Sequence, residues 1–264
     1  MLDYPKVVIG VLTYGRPLYL PRVLACFDRL KYPTKRLVII NDCKYIKYTC
    51  SNPRVDILNI DTRLPLAAKR NMFTSFDWDI LFQLDDDDLF LPNRIKHHVE
   101  IYRKDSSIDA VINPMCYITY GGSLDMTGGC GTTNSSYTRA GFFKAGGYDV
   151  RDESYNAEDT NMRGRMLDNC NVHIDSSGDR ADYVYWWYGS TYHATYSDSL
   201  DEWNKVESSV IEHLTELGLT NTVVDIVPNY KVYDNIVRQC LKVKKLGHAV
   251  DIILTENNTN LTLA

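Results

Sequence analysis

Four consecutive carboxylates end a short apolar run in the stretch Ile80-Leu81-Phe82-Gln83-Leu84-Asp85-Asp86-Asp87-Asp88. Adjacent like charges repel one another and resist burial, so such a run is usually solvated on a flexible surface. Here the apolar residues predict a strand buried on both faces, which pins the carboxylates at its end. Hard divalent ions take oxygen ligands of this kind. The stretch therefore predicts a metal site whose second role is to neutralise phosphate charge.

Strand-like and helix-like patterns alternate along the chain before the carboxylates. Near-continuous apolar segments predict strands at 6–12, 36–40, 55–60 and 79–84. Helical spacing of apolar residues predicts helices at about 17–30 and 65–76. Strands that alternate with helices imply βαβ units, so the predicted fold class is α/β with a mostly parallel central sheet flanked by helices.

Polar residues lie at the end of each of these strands. They are residues 13–16, Asn41, Asp42, Asp61 and 85–88. Ligands of mostly parallel sheets bind beyond the carboxyl ends of the strands. The sequence therefore predicts a ligand site along that edge of the sheet.

The composition is ordinary for a soluble globular protein, with 44% hydrophobic and 24% charged residues among 264. A formal net charge of −5 gives no support for a broad nucleic-acid-binding surface. The seven cysteines lie far apart without a Cys-x-x-Cys pair, which argues against a zinc ribbon and a dense disulfide framework. Neither a signal peptide nor a stretch of membrane-spanning length is recognisable, so a soluble cytoplasmic protein is expected.

Several short motifs stand in a fixed order along the chain. They are Val8-Ile9-Gly10-Val11-Leu12-Thr13-Tyr14-Gly15-Arg16-Pro17, Asn41-Asp42-Cys43, Leu66-Ala67-Ala68-Lys69-Arg70-Asn71, Leu84-Asp85-Asp86-Asp87-Asp88 with Pro92, Gly146-Gly147-Tyr148-Asp149 and Glu158-Asp159. In this order and spacing they resemble the family 2 glycosyltransferases with the GT-A fold, over roughly residues 6–170. Each motif alone is weak, and the ordered set carries the resemblance.

The resemblance implies a domain organisation. A GT-A catalytic domain is expected at 1–198, with a nucleotide-binding half at about 1–92 and an acceptor half at about 93–198. A mainly helical C-terminal extension is expected at 199–264, including a basic amphipathic helix at about 232–246. That basic helix is either a solvated face or a contact for phosphate-rich acceptors, membrane surfaces or DNA.

The implied reaction is an inverting transfer of a sugar from a nucleotide-diphosphate sugar, with a UDP-sugar favoured and Mn²⁺ or Mg²⁺ as cofactor. Asp85 and Asp87, at the DxD spacing, would bind the metal, and Asp85 would also reach the donor ribose. The ion would stabilise charge on the leaving diphosphate. Several relatives supply a histidine after an aromatic strand, which makes His193 the predicted third ligand; a lone histidine is as often an ordinary surface or core residue.

Donor binding is expected from residues at the strand ends. Asp42 would accept hydrogen bonds from the base or ribose, and Thr13 and Tyr14 would line the base pocket. Arg16 and Arg70 are cations for uracil or diphosphate oxygens, with an ordinary surface or packing ion pair as the alternative for each.

The other two aspartates of the run are expected to support their neighbours. Adjacent strand residues point in opposite directions, so Asp85 and Asp87 would face the donor while Asp86 and Asp88 turn to solvent or to supporting partners. Asp86 is also assigned to the donor-nucleotide site.

Direct displacement with inversion needs a carboxylate that takes the acceptor's proton. The resemblance places this role on Asp159, with Glu158 binding the acceptor or orienting the base. The alternative is an acidic pair that favours a helix N-terminus. His97 and His98 are adjacent within a predicted helix, which is poor geometry for ligating one metal together.

The sequence departs from the family in two respects. The Gln-x-x-Arg-Trp element of processive members is absent, so polymerisation coupled to export is not expected. Gly15 stands where relatives often have Asn, which puts one donor contact in doubt.

The acceptor stays open between a glycan, a lipid-linked saccharide, a protein and a modified nucleic-acid base. The glycine-rich stretch 121–134 is a candidate lid, and the aromatic run 183–188 offers either a ligand platform or a packed sheet face. A nucleotidyltransferase and an inactive nucleotide-sugar-binding module are the alternative functions. The first lacks its glycine-rich, lysine-bearing loop here, and the presence of both a DxD and a base candidate argues against the second.

Overall fold

The computed structural model of the chain describes residues 4–120, 123–128, 134–150, 158–175, 181–185 and 200–228. Its strands are β1 (Val7–Thr13), β2 (Lys35–Asn41), β3 (Ile46–Thr49), β4 (Val55–Asn59), β5 (Ile80–Asp85), β6 (Leu89–Phe90), β7 (Ala110–Ile112), β8 (Met115–Tyr120), β9 (Ser123–Gly128), β10 (Ser135–Thr138), β11 (Val172–Ile174), β12 (Tyr183–Tyr185) and β13 (Thr222–Asp225). Its helices are α1 (Leu20–Arg29), α2 (Leu66–Met72), a 3₁₀ helix (Phe73–Ser75), α3 (Arg94–Lys104), α4 (Arg139–Lys144), α5 (Glu158–Asn169) and α6 (Leu200–Glu216).

A seven-stranded sheet organises the molecule, in the order β11-β7-β10-β5-β1-β2-β4. β1 pairs in parallel with both β2 and β5, β2 pairs in parallel with β4, and β7 pairs in parallel with β11. Only β10 runs antiparallel to its neighbours β5 and β7. The predicted α/β class with a mostly parallel central sheet is therefore confirmed. A smaller sheet, β6-β12-β8-β9, is formed by strands that lie between Leu89 and Tyr185.

The register of the central strands brings their carboxyl ends level. Thr13 of β1 is opposite Asn41 of β2, and Leu12 is opposite Asp85 of β5. The polar residues that follow β1, β2 and β5 therefore share one edge of the sheet, as predicted. Because β5 is buried along its length up to Asp85, the position of that edge is fixed by core packing.

Helices cover both faces of the sheet, which gives a three-layer core. On one face α1 and α3 pack against alternate residues of β1, through side chains such as Phe27 and Val99. On the other face the 3₁₀ helix, α4 and α5 pack through Phe73, Phe142 and Met162. The strands read as continuous apolar runs because both of their faces are buried.

Gly10 of β1 gives a test of this packing. A Cβ at Gly10 would lie 2.6 to 2.8 Å from three ring carbons of Phe73, which is itself fully buried. We expect Gly10→Ala to lower the free energy of unfolding by about 1–3 kcal/mol, the usual cost of overpacking a core.

Gly164→Ala is the control, because nothing lies within 4 Å of the added Cβ in the middle of α5. That change should stabilise the protein by up to about 1 kcal/mol through helix propensity. Urea titration measures both, and equal stability of the two variants would contradict the close contact.

The described part of the C-terminal region combines a helix and a strand. Val210 and Leu214 of α6 join the larger core cluster, and β13 pairs in parallel with β3. β13 is not expected from the sequence, because a four-residue segment with alternating burial gives only a weak strand signal. The domain boundary near 198 stays a prediction, and the basic helix at 232–246 lies outside the described residues.

Two further findings concern the expectations about membrane spans and cysteines. No helix of the described residues is long and apolar enough to cross a membrane. Cys116 of β8 is disulfide-bonded, whereas Cys26, Cys43, Cys50 and Cys170 are free. The cytoplasmic location stays a prediction.

Candidate active site

The four carboxylates form a tight turn after β5. The backbone N–H of Asp88 donates to the carbonyl of Asp85 over 3.1 Å, which closes the turn. The side chain of Asp85 is 35% exposed, whereas Asp86, Asp87 and Asp88 are buried. The expected alternation of side chains holds only within the strand, and the strand stops at Asp85. Turn geometry therefore sets the directions of the three other carboxylates.

Cations and a hydroxyl from the first βα connection surround Asp86. Thr13 Oγ1 donates to Asp86 Oδ2 over 2.7 Å, and Arg16 pairs with Asp86 Oδ1. The same Arg16 nitrogen lies 3.1 Å from Asp87 Oδ2, and Arg22 donates to the Asp86 carbonyl over 3.0 Å. Burial raises the pKa of Asp86, and Arg16 opposes that shift. Thr13 and Arg16, predicted for donor binding, thus hold the acidic turn in place. Arg22 is not among the residues predicted from the sequence.

Asp88 is anchored from the smaller sheet. The hydroxyl of Tyr183 on β12 donates to Asp88 Oδ2, and both residues are buried. β12 pairs with β6, which follows the acidic turn directly. This strand pairing therefore holds Tyr183 next to Asp88. Tyr183 belongs to the aromatic run proposed as a ligand platform, and its full burial shows that this ring is part of the core.

Arg70 of α2 joins the acidic turn to α5. Its guanidinium donates to Gln83 Oε1 over 2.5 Å and to Glu158 Oε1 over 3.3 Å, and lies 3.7 Å from Asp85 Oδ1. The Tyr148 hydroxyl also donates to Gln83 Oε1, over 2.9 Å. Only 7% of Arg70 is exposed. Since three elements converge on this side chain, its observed role is to position the carboxylates; donor binding by Arg70 stays a prediction.

The motif around Arg70 and the Gly-Gly-Tyr-Asp motif form one unit. Asn71 Nδ2 donates to the Tyr148 carbonyl over 2.7 Å, and the Tyr148 N–H donates back to Asn71 Oδ1 over 2.8 Å. Gly147 has a φ of +66°, and a Cβ there would lie 3.0 Å from Asn71 Oδ1. A side chain at Gly147 would therefore be strained and would disturb this paired contact.

Glu158 and Asp159 open α5 beside the acidic turn. Glu158 is buried against Arg70, and burial raises the pKa of its carboxyl. Asp159 is half-buried, and its Oδ1 accepts from the backbone N–H of Thr160 over 2.6 Å. The sequence predicts both residues at a helix start, and the structure brings that start to the edge of the sheet.

The carboxyl of Asp85 lies among other negative charges. Burial raises the pKa of Asp85 to about 6, and the negative charges of Asp87, Asp86 and Asp159 reinforce the shift against the opposing Arg70. Like charges gathered this closely are stabilised by a divalent ion with a preference for oxygen ligands. Their oxygen donors suit such an ion, and a metal at Asp85 and Asp87 stays a prediction. The predicted third ligand, His193, lies outside the described residues.

Asp42 is fully engaged by neighbouring protein groups. Its Oδ2 accepts from the N–H of Leu64 over 2.9 Å, and its Oδ1 pairs with Lys69 Nζ at 3.0 Å. Both charged side chains are buried. This pair ties the end of β2 to α2, and the donor contact predicted for Asp42 stays a prediction. The role of Lys69 as the partner of Asp42 was not predicted from the sequence. Its position next to Arg70 in the same motif could have indicated a role at the site.

Tyr14 and Gly15 lie under α6. Tyr14 is half-buried, with the Arg63 guanidinium 4.3 Å from the centre of its ring. Gly15 has a φ of +62°, and a Cβ there would come within 2.4 Å of Val210 Cγ1. Glycine at this position, a departure from the family pattern, is thus required by the close approach of α6.

Solved structures of other proteins show which known fold this chain shares. No family model and no curated protein matches the sequence. The structure of S. aureus TarS residues 1–349 in complex with UDP-GlcNAc matches with a TM-score of 0.57 and 13% identity, over 94% of this chain and 76% of that one. The mannosyltransferase PcManGT from Pyrobaculum calidifontis, in complex with GDP-Man and Mn²⁺, matches with a TM-score of 0.51 and 12% identity, over 90% and 74% of the two chains. At such identities the likeness shows a shared fold, and the predicted GT-A class is confirmed at that level.

Proposed function

We propose that this protein is a metal-dependent, inverting glycosyltransferase that moves a sugar from a nucleotide-diphosphate sugar, with a UDP-sugar favoured, to an acceptor hydroxyl or amine. The observation that carries the proposal is the convergence of the acidic turn with Glu158 and Asp159 at one sheet edge, through Arg70. Proteins of the same fold bind UDP-GlcNAc and GDP-Man with Mn²⁺, which supports this assignment.

A divalent metal fits the carboxylate pair of the acidic turn. Asp85 and Asp87, with His193 as the third ligand, would hold Mn²⁺ or Mg²⁺, which would stabilise the charge that develops on the departing diphosphate. In the structure Arg16 contacts both Asp86 and Asp87. We assign to Arg16 a second contact with diphosphate oxygens. Its guanidinium can remain paired with Asp86 when the metal ion binds Asp87, which leaves other N–H groups of Arg16 to donate to the diphosphate.

The donor nucleotide is assigned to the ends of β1 and β2. Tyr14 offers a half-exposed ring for the base, and Asp42 and Thr13 shape the floor of the pocket through their contacts with Lys69 and Asp86. Asp86 is assigned to the same floor, since it is buried between Thr13 and Arg16.

Asp159 is assigned as the base. It removes the proton of the acceptor nucleophile while the bond from the sugar to the diphosphate breaks and a new bond forms on the opposite face of the sugar. Thr160 holds one carboxylate oxygen, Oδ1, so we assign the other oxygen, Oδ2, to the acceptor proton. Glu158, paired with Arg70, orients the start of α5 and hence this carboxylate.

The decisive assay follows donor turnover with Mn²⁺ or Mg²⁺ across a panel of nucleotide sugars and acceptors. Release of a nucleoside diphosphate with formation of a glycosylated product supports the proposal. Release of pyrophosphate would indicate a nucleotidyltransferase instead, and tight donor binding without any turnover would indicate an inactive binding module.

Asp87→Asn tests the metal assignment. We expect turnover to fall by about 100-fold or more, the scale seen when one electrostatic stabiliser of a leaving group is removed. Donor affinity should also lose its dependence on Mn²⁺, as measured by calorimetry with and without the ion. Asp56→Asn is the control, because Asp56 is a partly exposed carboxylate paired with Arg36 on the far part of the sheet. Full turnover by Asp87→Asn would remove this residue from the metal site.

A further inference from the structure

A second cluster of ligating side chains lies behind the acidic turn, where α3 meets the loop before β12. It consists of His97 and His98 of α3 and Asp182, and one ligand atom from each lies within 4.8 Å of the other two. His97 Nδ1 is 2.8 Å from Asp182 Oδ2, and His98 Nε2 is 3.5 Å from the same oxygen. The sequence argued against joint ligation by adjacent histidines. The structure nevertheless brings both rings to one carboxylate oxygen, because His97 presents Nδ1 and His98 presents Nε2.

The remaining nitrogen of each ring lies close to another polar side chain. His98 Nδ1 lies 2.8 Å from Ser136 Oγ, and His97 Nε2 lies 3.2 Å from Asp175 Oδ2. The Tyr102 hydroxyl donates to the Ser136 carbonyl over 2.8 Å, and its oxygen lies 3.0 Å from Ser136 Oγ. The Ser136 hydroxyl can therefore donate to Tyr102, which leaves Ser136 Oγ to accept from His98 Nδ1–H.

With Nδ1 of His98 protonated, the unprotonated Nε2 of His98 faces Asp182 Oδ2, the oxygen that also lies 2.8 Å from His97 Nδ1. His98 is fully buried, and its Nε2 has no aligned hydrogen-bond partner among the described residues. The lone pair of His98 Nε2 and the carboxylate oxygen repel each other unless a cation lies between them. Histidines whose second nitrogen is held by a carboxylate or hydroxyl are typical of metal ligands.

We propose that His97 Nδ1, His98 Nε2 and Asp182 Oδ2 bind a structural Zn²⁺ ion, separate from the metal of the acidic turn. Two imidazoles and one carboxylate suit Zn²⁺ better than Mn²⁺ or Mg²⁺, which prefer oxygen ligands. The Arg94 guanidinium lies 3.9 Å from the other carboxylate oxygen, Oδ1, which also accepts from Asn113 Nδ2 over 3.5 Å, so Oδ2 is the oxygen that faces the two rings. A fourth ligand from water would complete a tetrahedral site.

The site has a structural consequence for the acidic turn. The Leu91 N–H donates to the Asp182 carbonyl over 3.0 Å, and Tyr183, the next residue, donates to Asp88. An ion that fixes Asp182 against α3 therefore also fixes the strand pairing that holds Asp88. Zn²⁺ would act here by positioning and would not contact the donor.

The test measures zinc in the full-length protein. After dialysis against chelator-treated buffer with added Zn²⁺, the wild type should retain about one equivalent by mass spectrometry, as expected for a single zinc site. Substituted Co²⁺ should give the visible absorption of a tetrahedral N/O site. His97→Gln should lose this equivalent, and Asp175→Asn should bind about 10–100-fold more weakly, as expected for loss of a group that orients a ligand.

Two controls locate the ion. Asp87→Asn should retain the zinc equivalent, because it changes only the acidic turn. His213→Gln, on α6, should also retain it, since that histidine lies outside the cluster. Absence of zinc from the wild type, or retention by both His97→Gln and Asp175→Asn, would overturn the proposal; His97 would then be an imidazolium that bridges Asp175 and Asp182. If His97→Gln does not fold, the zinc stoichiometry of the wild type and the zinc affinity of Asp175→Asn still test the proposal.

Discussion

Replacing Asp159 by Asn should lower sugar transfer by about 10²–10⁴-fold, the usual contribution of a general base. The amide keeps the size of the side chain and can still accept from Thr160, so the start of α5 should be preserved. It has little basicity and leaves the proton of the acceptor nucleophile without a destination. Donor affinity should stay close to that of the wild type, because the nucleotide is assigned to the ends of β1 and β2.

Single-turnover rates and donor calorimetry separate the two quantities for Asp159→Asn. Asp168→Asn is the matched control, since Asp168 is an exposed carboxylate near the other end of the same helix. It should transfer sugar at the wild-type rate. Wild-type turnover by Asp159→Asn would show that the base lies elsewhere, with Glu158 as the next residue to examine.

Replacing Arg70 by Met should cost about 3–5 kcal/mol of stability, the range for removal of one partner from a buried ion pair. The change leaves Glu158 buried without its cation and takes a donor from Gln83. The repulsion around Asp85 should rise as well, because Arg70 is the cation that lowers its pKa. Arg36→Met is the control: Arg36 pairs with Asp56 by two nitrogens but is about half exposed, so about 0–1 kcal/mol is expected.

Denaturant titration of Arg70→Met can be extended to a double-mutant cycle with Glu158→Gln. Glu158→Gln removes the charge that Arg70 balances, so the double variant should be more stable than the sum of the single losses predicts. A loss below about 1 kcal/mol for Arg70→Met would place this arginine among ordinary surface pairs. A selective loss of donor affinity with unchanged stability would instead favour the donor-binding role predicted from the sequence.

The sheet and its functional edge could be predicted from the sequence because their signals are local. An apolar run such as 80–84 must be covered on both faces, and a parallel neighbour is the common way to cover it. Residues that follow parallel strands then share one edge whatever the loops do. The same reasoning explains why the positions of Asp42 and Asp85 at that edge were predictable while their contacts were not.

Contacts between distant residues were decided only by the tertiary structure. Arg70 meets Glu158 across 88 positions, and Tyr183 meets Asp88 across 95, so no periodicity links either pair. The pairing of His97 and His98 with Asp182 depends in the same way on how α3 packs beside β12.

The four aspartates show what each source of information contributes, the sequence and the tertiary structure. The sequence by itself determined that they follow a buried strand at the ligand edge, since hydrophobic burial fixes where β5 ends. The tertiary structure decided which way each one points: the chain turns at Asp85, and Arg16, Thr13 and Tyr183 then take up the three buried carboxylates. Buried charges require partners within bonding distance, and only the packed fold brings such partners there.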